Sequence, residues 1–224
     1  MKKKSNKTFW IGLAVALGLP LSFYIIAKVL KKDHINMPAH FGAEGVTSAC
    51  DTIWRSVGEL QGVNQMNEPV SLNAGMEDKV LVINAFFADC TDICPRTTAS
   101  MATLQRVFRR TAKQRNDTSV QLISITTQPL IDSIPKLRAY ADSYEANSDH
   151  WWFVRTDPQA VSRYLRDELK LSGDESGGMV HSPTIVLLDK KRRIRGYYNG
   201  LDPLEVRKCA EDIVLLSIEK ERKK

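Results

Sequence analysis

The sequence predicts an α/β protein, a central sheet flanked by helices on both faces and preceded by one N-terminal transmembrane helix. Three observations carry that expectation. Strand-like and helix-like segments alternate from residue 80 to the C-terminal end. The run from Val80 to Phe87 is β-branched and apolar without alternation, as in a strand buried on both faces. Residues 9–27 are 19 positions without a charge, roughly the 30 Å that a helix needs to cross a bilayer.

In chain order, the uncharged run comes first. A cleaved signal peptide has a shorter apolar stretch and a small-residue cleavage site, whereas this run leaves through Phe23-Tyr-Ile-Ile-Ala-Lys-Val-Leu30. It is therefore expected to stay as an anchor. Gly12, Gly18 and Pro20 are tolerable there, because neighbouring groups can satisfy the freed backbone. Lys2, Lys3, Lys4 and Lys7 precede the run, and Lys28, Lys31 and Lys32 follow it, a small excess favouring a cytoplasmic N-terminus. Residues 1–32 thus read as a cytoplasmic tip and membrane anchor in contact with lipid, 33–50 as a polar tether, and 51–224 as one domain. That domain is long enough to bury a core.

Within the domain, residues 51–78 read as an extension holding a short hairpin. Then follow strand 80–87, helix 95–114, strand 119–125, helix 134–146, strand 151–155, helix 158–170, strands 184–189 and 193–198, and helix 202–222. Charge narrows the function classes. The chain is +6 overall, but residues 1–32 hold seven lysines and no acid, which leaves 25 basic against 26 acidic residues, a balance of −1. The soluble part is not basic, so nucleic-acid binding has little support.

Chemistry concentrates where strand 80–87 empties into Asp89-Cys90-Thr91-Asp92-Ile93-Cys94-Pro95. Pro95 suits the first position of a helix, which places both thiols near a helix N-terminus, where partial positive charge favours thiolate. Three intervening residues put the thiols about one helical turn apart on one side. Two convergent thiolates can close a disulfide or hold a soft metal. Asp89 and Asp92 are expected to oppose the helix terminus and raise the thiol pKa values. A third ligand would favour metal, and His181 is the candidate, following Gly177-Gly178-Met179-Val180 and preceding the strand that starts after Ser182-Pro183. Met179 offers a soft thioether, but a loop methionine is more often incidental.

Phe86-Phe87, Cys90, Ile93-Cys94-Pro95, His181-Ser182, the pair Leu187-Leu188-Asp189 and Ile194-Arg-Gly-Tyr197, Asn64-Gln65 and Trp151-Trp-Phe153 together resemble the Sco/SenC family over roughly residues 50–215. These are membrane-anchored proteins of thioredoxin-like fold that bind copper and serve assembly of the binuclear copper centre of cytochrome c oxidase. The resemblance implies Cys90, Cys94 and His181 as copper ligands. It further implies an upstream copper donor, the copper-bearing oxidase subunit as partner, and a single-pass protein of the bacterial inner (cytoplasmic) membrane facing the periplasm or cell exterior. It also implies a cis Ser182–Pro183 bond. Relatives commonly have proline where this chain has Thr91, and an acidic residue near Ser124-Ile-Thr-Thr-Gln-Pro129-Leu-Ile-Asp132, where only Pro129 and Asp132 remain. Copper(I) accepts two sulfurs and one imidazole without an oxygen ligand, and copper(II) in such a site would be thiolate-bound too. An open three-ligand site can release its metal to a partner.

Two functions remain open, a copper metallochaperone and a thiol–disulfide oxidoreductase with Cys90 attacking and Cys94 resolving. Only the first needs His181. A peroxiredoxin-like peroxidase lacks its Thr-x-x-Cys arrangement. Other candidates have plainer readings. Cys50 and Cys209 are idle or buried thiols, and His34, Met37 and His40 are linker residues. The aromatics after His150 pack in the core or edge the site, and Lys190-Lys-Arg-Arg193 is a solvated turn.

Overall fold

The computed structural model describes residues 7–30, 37–46, 52–115, 119–171 and 182–219. It forms two compact units, Met1–Asn36 and Met37–Lys224. In the first, the uncharged run lies within helix α1 (Lys7–Leu30). Trp10, Ile11, Leu17 and Phe23 all stand exposed along it. Over the described side chains alone, no helix is both long and apolar enough to cross a membrane.

The second unit is built on a five-stranded sheet. Its strands are β5 (Val80–Phe86), β6 (Val120–Thr126), β7 (Trp151–Val154), β8 (Thr184–Leu188) and β9 (Ile194–Asn199), in the spatial order β7-β6-β5-β8-β9. The pairs β5–β6 and β6–β7 are parallel, whereas β8 runs antiparallel to both β5 and β9. The C-terminal ends of β5 and β6, the start of β8 and the end of β9 therefore share one edge of the sheet. Two antiparallel pairs precede it, β1 (Ala43–Val46) with β2 (Thr52–Trp54) and β3 (Gln61–Val63) with β4 (Pro69–Ser71). The second is the hairpin expected within residues 51–78, and Asn67 turns it with a φ of 62°.

Helices α2 (Ile93–Arg115), α3 (Ile134–Ser143), α4 (Pro158–Arg163) and α5 (Pro203–Ile218) complete the unit, with α4 running on as a π-helical turn over Tyr164–Glu168. Alternation along β5 sorts its side chains between two cores. Val80, Val82 and Phe86 join Met101 and Leu104 of α2, Leu137 of α3 and Val206 and Ile213 of α5. Leu81, Ile83 and Ala85 join Leu60, Leu72 and Met76 and, from α4 and its π turn, Val161, Tyr164 and Leu165. Each fully buried aliphatic side chain contributes about 1.5–3 kcal/mol, so both faces must be covered. Asn84, on the face of Val82 and Phe86, accepts from Ser124 Oγ at 2.6 Å, and Ser124 Oγ accepts from Trp151 Nε1 at 2.9 Å.

Both sheet edges are closed. The Gln65 amide donates to Trp151 O at 3.0 Å and accepts from Phe153 N–H at 2.9 Å, filling the open side of β7 as a neighbouring strand would. On the other side, Phe41 N–H donates to Ile194 O and Val57 N–H to Arg192 O. Residues 37–46, which the sequence places in the tether, thus lie in the same unit as the sheet. Arg195 explains why. Its buried guanidinium donates to Pro38 O at 2.9 Å and pairs with Glu219 at 2.8 Å and Asp189 at 3.3 Å.

The turn between β8 and β9 departs from its reading as solvated. Arg192 is buried and donates to the carbonyls of Leu72, Lys79 and Met76, and Arg193 pairs with Asp189 at 2.7 Å. A guanidinium carries five donors, so it can fill a carbonyl-lined hole that a short polar residue would leave unsatisfied. The Ser182–Pro183 bond is trans, not cis, since no cis peptide occurs among the described residues.

Candidate metal and thiol site

The site grows from the shared sheet edge. After Phe86 the chain turns through Phe87-Ala-Asp-Cys90, closed by Cys90 N–H donating to Phe87 O at 3.2 Å. Helix α2 starts at Ile93, two residues before Pro95. Proline is tolerated there because a first-turn N–H has no helical acceptor to lose. The earlier start puts Cys94 inside the first turn, with its N–H donating to Cys90 Sγ at 3.3 Å. Cys94 is buried and Cys90 half-buried.

The two thiols differ electrostatically. Burial pushes the Cys90 thiol up, but the backbone N–H of Asp92, the Cys94 side chain and the N–H groups of Cys94 and Ile93 outweigh it, so its pKa falls below the ordinary value. Burial and the neighbouring Cys90 push Cys94 up to about 12. The outer sulfur is therefore the readier thiolate and the inner one a held thiol.

The rise expected from Asp89 and Asp92 does not prevail at Cys90, and Asp89 has a partner of its own. Lys136 Nζ of α3 lies 2.6 Å from Asp89 Oδ2 and 3.3 Å from Asp132 Oδ1. Asp132 is buried, and its Oδ2 accepts from Ala88 N–H at 3.2 Å and from Thr126 Oγ1 at 2.5 Å. Lys136 is shifted upward, chiefly by its bond to Asp89. Asp132 is one of the two residues that remain in the segment where relatives carry an acidic residue, and Lys136 is not singled out by the sequence pattern. Its spacing of four from Asp132 on a helix start is the signal that could have found it.

Behind the thiols sits an aromatic wall. Tyr140 stacks on Phe86 with ring centroids 5.1 Å apart and shares a 3.2 Å hydrogen bond with Thr98 Oγ1 in α2. Phe153 meets Phe86 edge-on at 5.2 Å, and Trp151 packs against Phe153 at 4.9 Å. Such a wall packs apolar surface against the sheet side of the site.

His181 and Met179 lie outside the described residues, as do Cys50 and His34. Among the described residues no group of three His, Cys, Asp or Glu gathers as a metal site. The chain next to His181 is fixed, however. Gly200 N–H donates to Pro183 O at 2.7 Å, and a Cβ built on Gly200 would stand 2.8 Å from Thr97 Cγ2 and 2.9 Å from Pro183 O. Only a bare glycine lets the chain after His181 lie this close to the turn of α2 that follows Cys94. Of the remaining candidates, Cys209 is fully buried with its pKa raised by burial, and His40 stacks on Trp54 with centroids 4.9 Å apart.

Paired sulfurs of unequal readiness at a helix start suit a soft metal ion, and equally a disulfide. A family model described as SCO1/SenC matches residues 55–215. A SCO1 protein homolog from Bacillus subtilis (strain 168) is 25% identical over 145 residues, covering 62% of this chain and 71% of that protein. The solved structure of BsSco, described as a member of the Sco family of cytochrome c oxidase assembly proteins with a disulfide switch, superposes with a TM-score of 0.62. It is 24% identical and covers 76% of this chain and 98% of that one. Bradyrhizobium japonicum ScoI, solved with copper bound, gives a TM-score of 0.56 at 18% identity over 73% of this chain and 99% of that one. At those identities the superpositions speak for the fold, which is thioredoxin-like. With the family model spanning most of the chain, this protein belongs to the SCO1/SenC family.

Proposed function

We propose that this chain is a membrane-anchored copper metallochaperone that takes copper on Cys90, Cys94 and His181 and delivers it to the binuclear copper centre of cytochrome c oxidase. The observation that carries the proposal is the pair of cysteines at the start of α2, with the Cys94 backbone N–H donating to Cys90 Sγ at 3.3 Å, in a SCO1/SenC chain. Copper is the cargo, and the protein's part is to offer soft donors in an open arrangement. Cys90, half-buried with its pKa lowered, meets the ion first; Cys94 gives up its proton as the metal arrives. His181 supplies the imidazole from a loop whose root, Pro183, is tied to Gly200. Release to the partner follows by exchange of one ligand at a time.

The uncharged run of α1 is proposed as the anchor, with residues 1–32 as cytoplasmic tip and membrane segment. The domain then faces the periplasm or cell exterior, where an upstream donor loads it. Support comes from the 19 uncharged residues and the apolar side chains exposed along the helix.

A second reading has its own observation. A lowered outer thiol and an inner thiol raised to about 12 is also the asymmetry of an attacking and a resolving cysteine. In that reading the protein reduces the cysteines of the same copper centre. The two are separated by titrating the reduced full chain in detergent with copper(I) against a chromogenic chelator, beside Cys90→Ser and His181→Ala. Tight one-to-one binding lost in both variants favours the metallochaperone. Binding indifferent to His181 favours thiol exchange.

A further inference from the structure

The loop that delivers Cys90 is held from below. Ala88 N–H is bonded to Asp132, whose buried carboxylate keeps its second oxygen against Lys136, and the same ammonium reaches out to Asp89. One lysine on α3 therefore grips the two residues before Cys90, one through a buried relay and one directly. The relay is well fixed. Asp132 is only 1% exposed, its Oδ2 is shared by Thr126 Oγ1 at the end of β6, and Thr127 N–H donates to Phe86 O at 2.8 Å. The outer arm is not, since the Asp89 side chain is 64% exposed.

We propose that Lys136 is a positioning residue for the thiol loop, fixing the place of Cys90 through Asp89 and, by way of Asp132, through Ala88. The inference deepens the reading of Cys90 as a soft donor and rests on it where copper is concerned. Two features decide the geometry. First, among the described residues Asp132 Oδ1 has no neutral hydrogen-bond donor, and the Lys136 ammonium 3.3 Å away balances the buried carboxylate. Second, Asp89 is adjacent to Cys90, and without Lys136 its carboxylate would stand uncompensated beside a site whose donors are themselves anionic. A copper(I) ion on two thiolates carries net negative charge, so an unpaired Asp89 opposes it and a paired one does not. An exposed ion pair alone is weak; its leverage comes from the link to the buried arm.

The test uses the full chain in detergent, with Lys136→Met, Lys136→Arg, Asp89→Asn and the double variant Asp89→Asn with Lys136→Met. Amide hydrogen exchange on the reduced, metal-free protein reads the loop directly. The expected result is exchange about tenfold faster over residues 86–94 in Lys136→Met, with β6 and β7 unchanged, and recovery in Lys136→Arg. Copper(I) affinity should fall about tenfold in Lys136→Met, the lower end for residues that orient a metal ligand. It should fall less when Asp89 is already Asn. Unchanged exchange over 86–94 in Lys136→Met overturns the inference. So does faster exchange spread through the whole sheet, which marks a general loss of stability, or an Arg variant as impaired as Met. Weak copper binding by the unaltered chain would count against the metallochaperone reading, while the exchange comparison would still decide the role of Lys136.

Discussion

The backbone N–H of Cys94 donates to Cys90 Sγ at 3.3 Å, so the first turn of α2 solvates the outer sulfur with the amide of the residue carrying the inner one. That contact is one of several that favour the Cys90 thiolate, while burial holds Cys94 as a thiol. Cys90 should alkylate first with iodoacetamide, and its rate should hold to lower pH than that of an ordinary thiol, because a lowered pKa keeps thiolate present there. Cys94, pushed up to about 12, should stay unmodified near neutral pH while Cys90 is intact. Mass mapping of partly alkylated protein checks the order; Cys94 reacting first would contradict it.

Gly200 should be intolerant of a side chain. Gly200→Ala places a methyl against Thr97 Cγ2 and Pro183 O, so the chain after His181 must move away from α2. Thermal unfolding should show a loss of about 1–3 kcal/mol. Copper(I) affinity should fall by about tenfold or more as the chain after His181 is displaced, a larger effect than the stability loss explains. Full affinity in Gly200→Ala would show that the contact does not serve the site.

Gln65 closes the sheet edge with a side chain where a strand would otherwise sit. Gln65→Leu keeps the bulk but leaves Trp151 O and Phe153 N–H without their partner. Chemical denaturation should show a cost of about 2–4 kcal/mol, set by two buried backbone groups left unsatisfied. A change below about 0.5 kcal/mol would mean that water takes over both bonds.

Arg195 joins the start of the second unit to its last helix. Arg195→Met should free the Pro38 and Ala39 carbonyls and leave Asp189 and Glu219 less balanced. The expected cost is about 3–5 kcal/mol, as for other buried pairs broken on one side. Limited proteolysis should then cut within residues 37–46. Resistance there equal to the unaltered chain would contradict the clasp.

Much of this was legible because local patterns were strong. The apolar run before Cys90 announced a doubly covered strand, and β5 ends one residue short of the expected Phe87. Helix α2 starts two residues before the expected Pro95, because the first turn admits proline further in. The π turn at Tyr164–Glu168 left no mark, since it differs from an α turn only in shifted bonds such as Leu169 N–H to Tyr164 O. Arg192 was illegible for another reason. A run of lysine and arginine looks solvated, and only the fold shows which guanidinium meets a hole lined with carbonyls. At the site, both cysteines were readable from type and spacing. Lys136 and Asp132 act across three segments that only the folded chain brings together.

The central claim is that Cys90, Cys94 and His181 form one copper site. The most direct measurement is X-ray absorption of the copper(I)-loaded full chain, unaltered and as His181→Ala. The account predicts two sulfurs and one nitrogen around copper at one equivalent, with the nitrogen lost and affinity reduced in His181→Ala. A two-sulfur centre unchanged by that substitution would contradict it, and would leave the thiol pair as an exchange site in which His181 has no part.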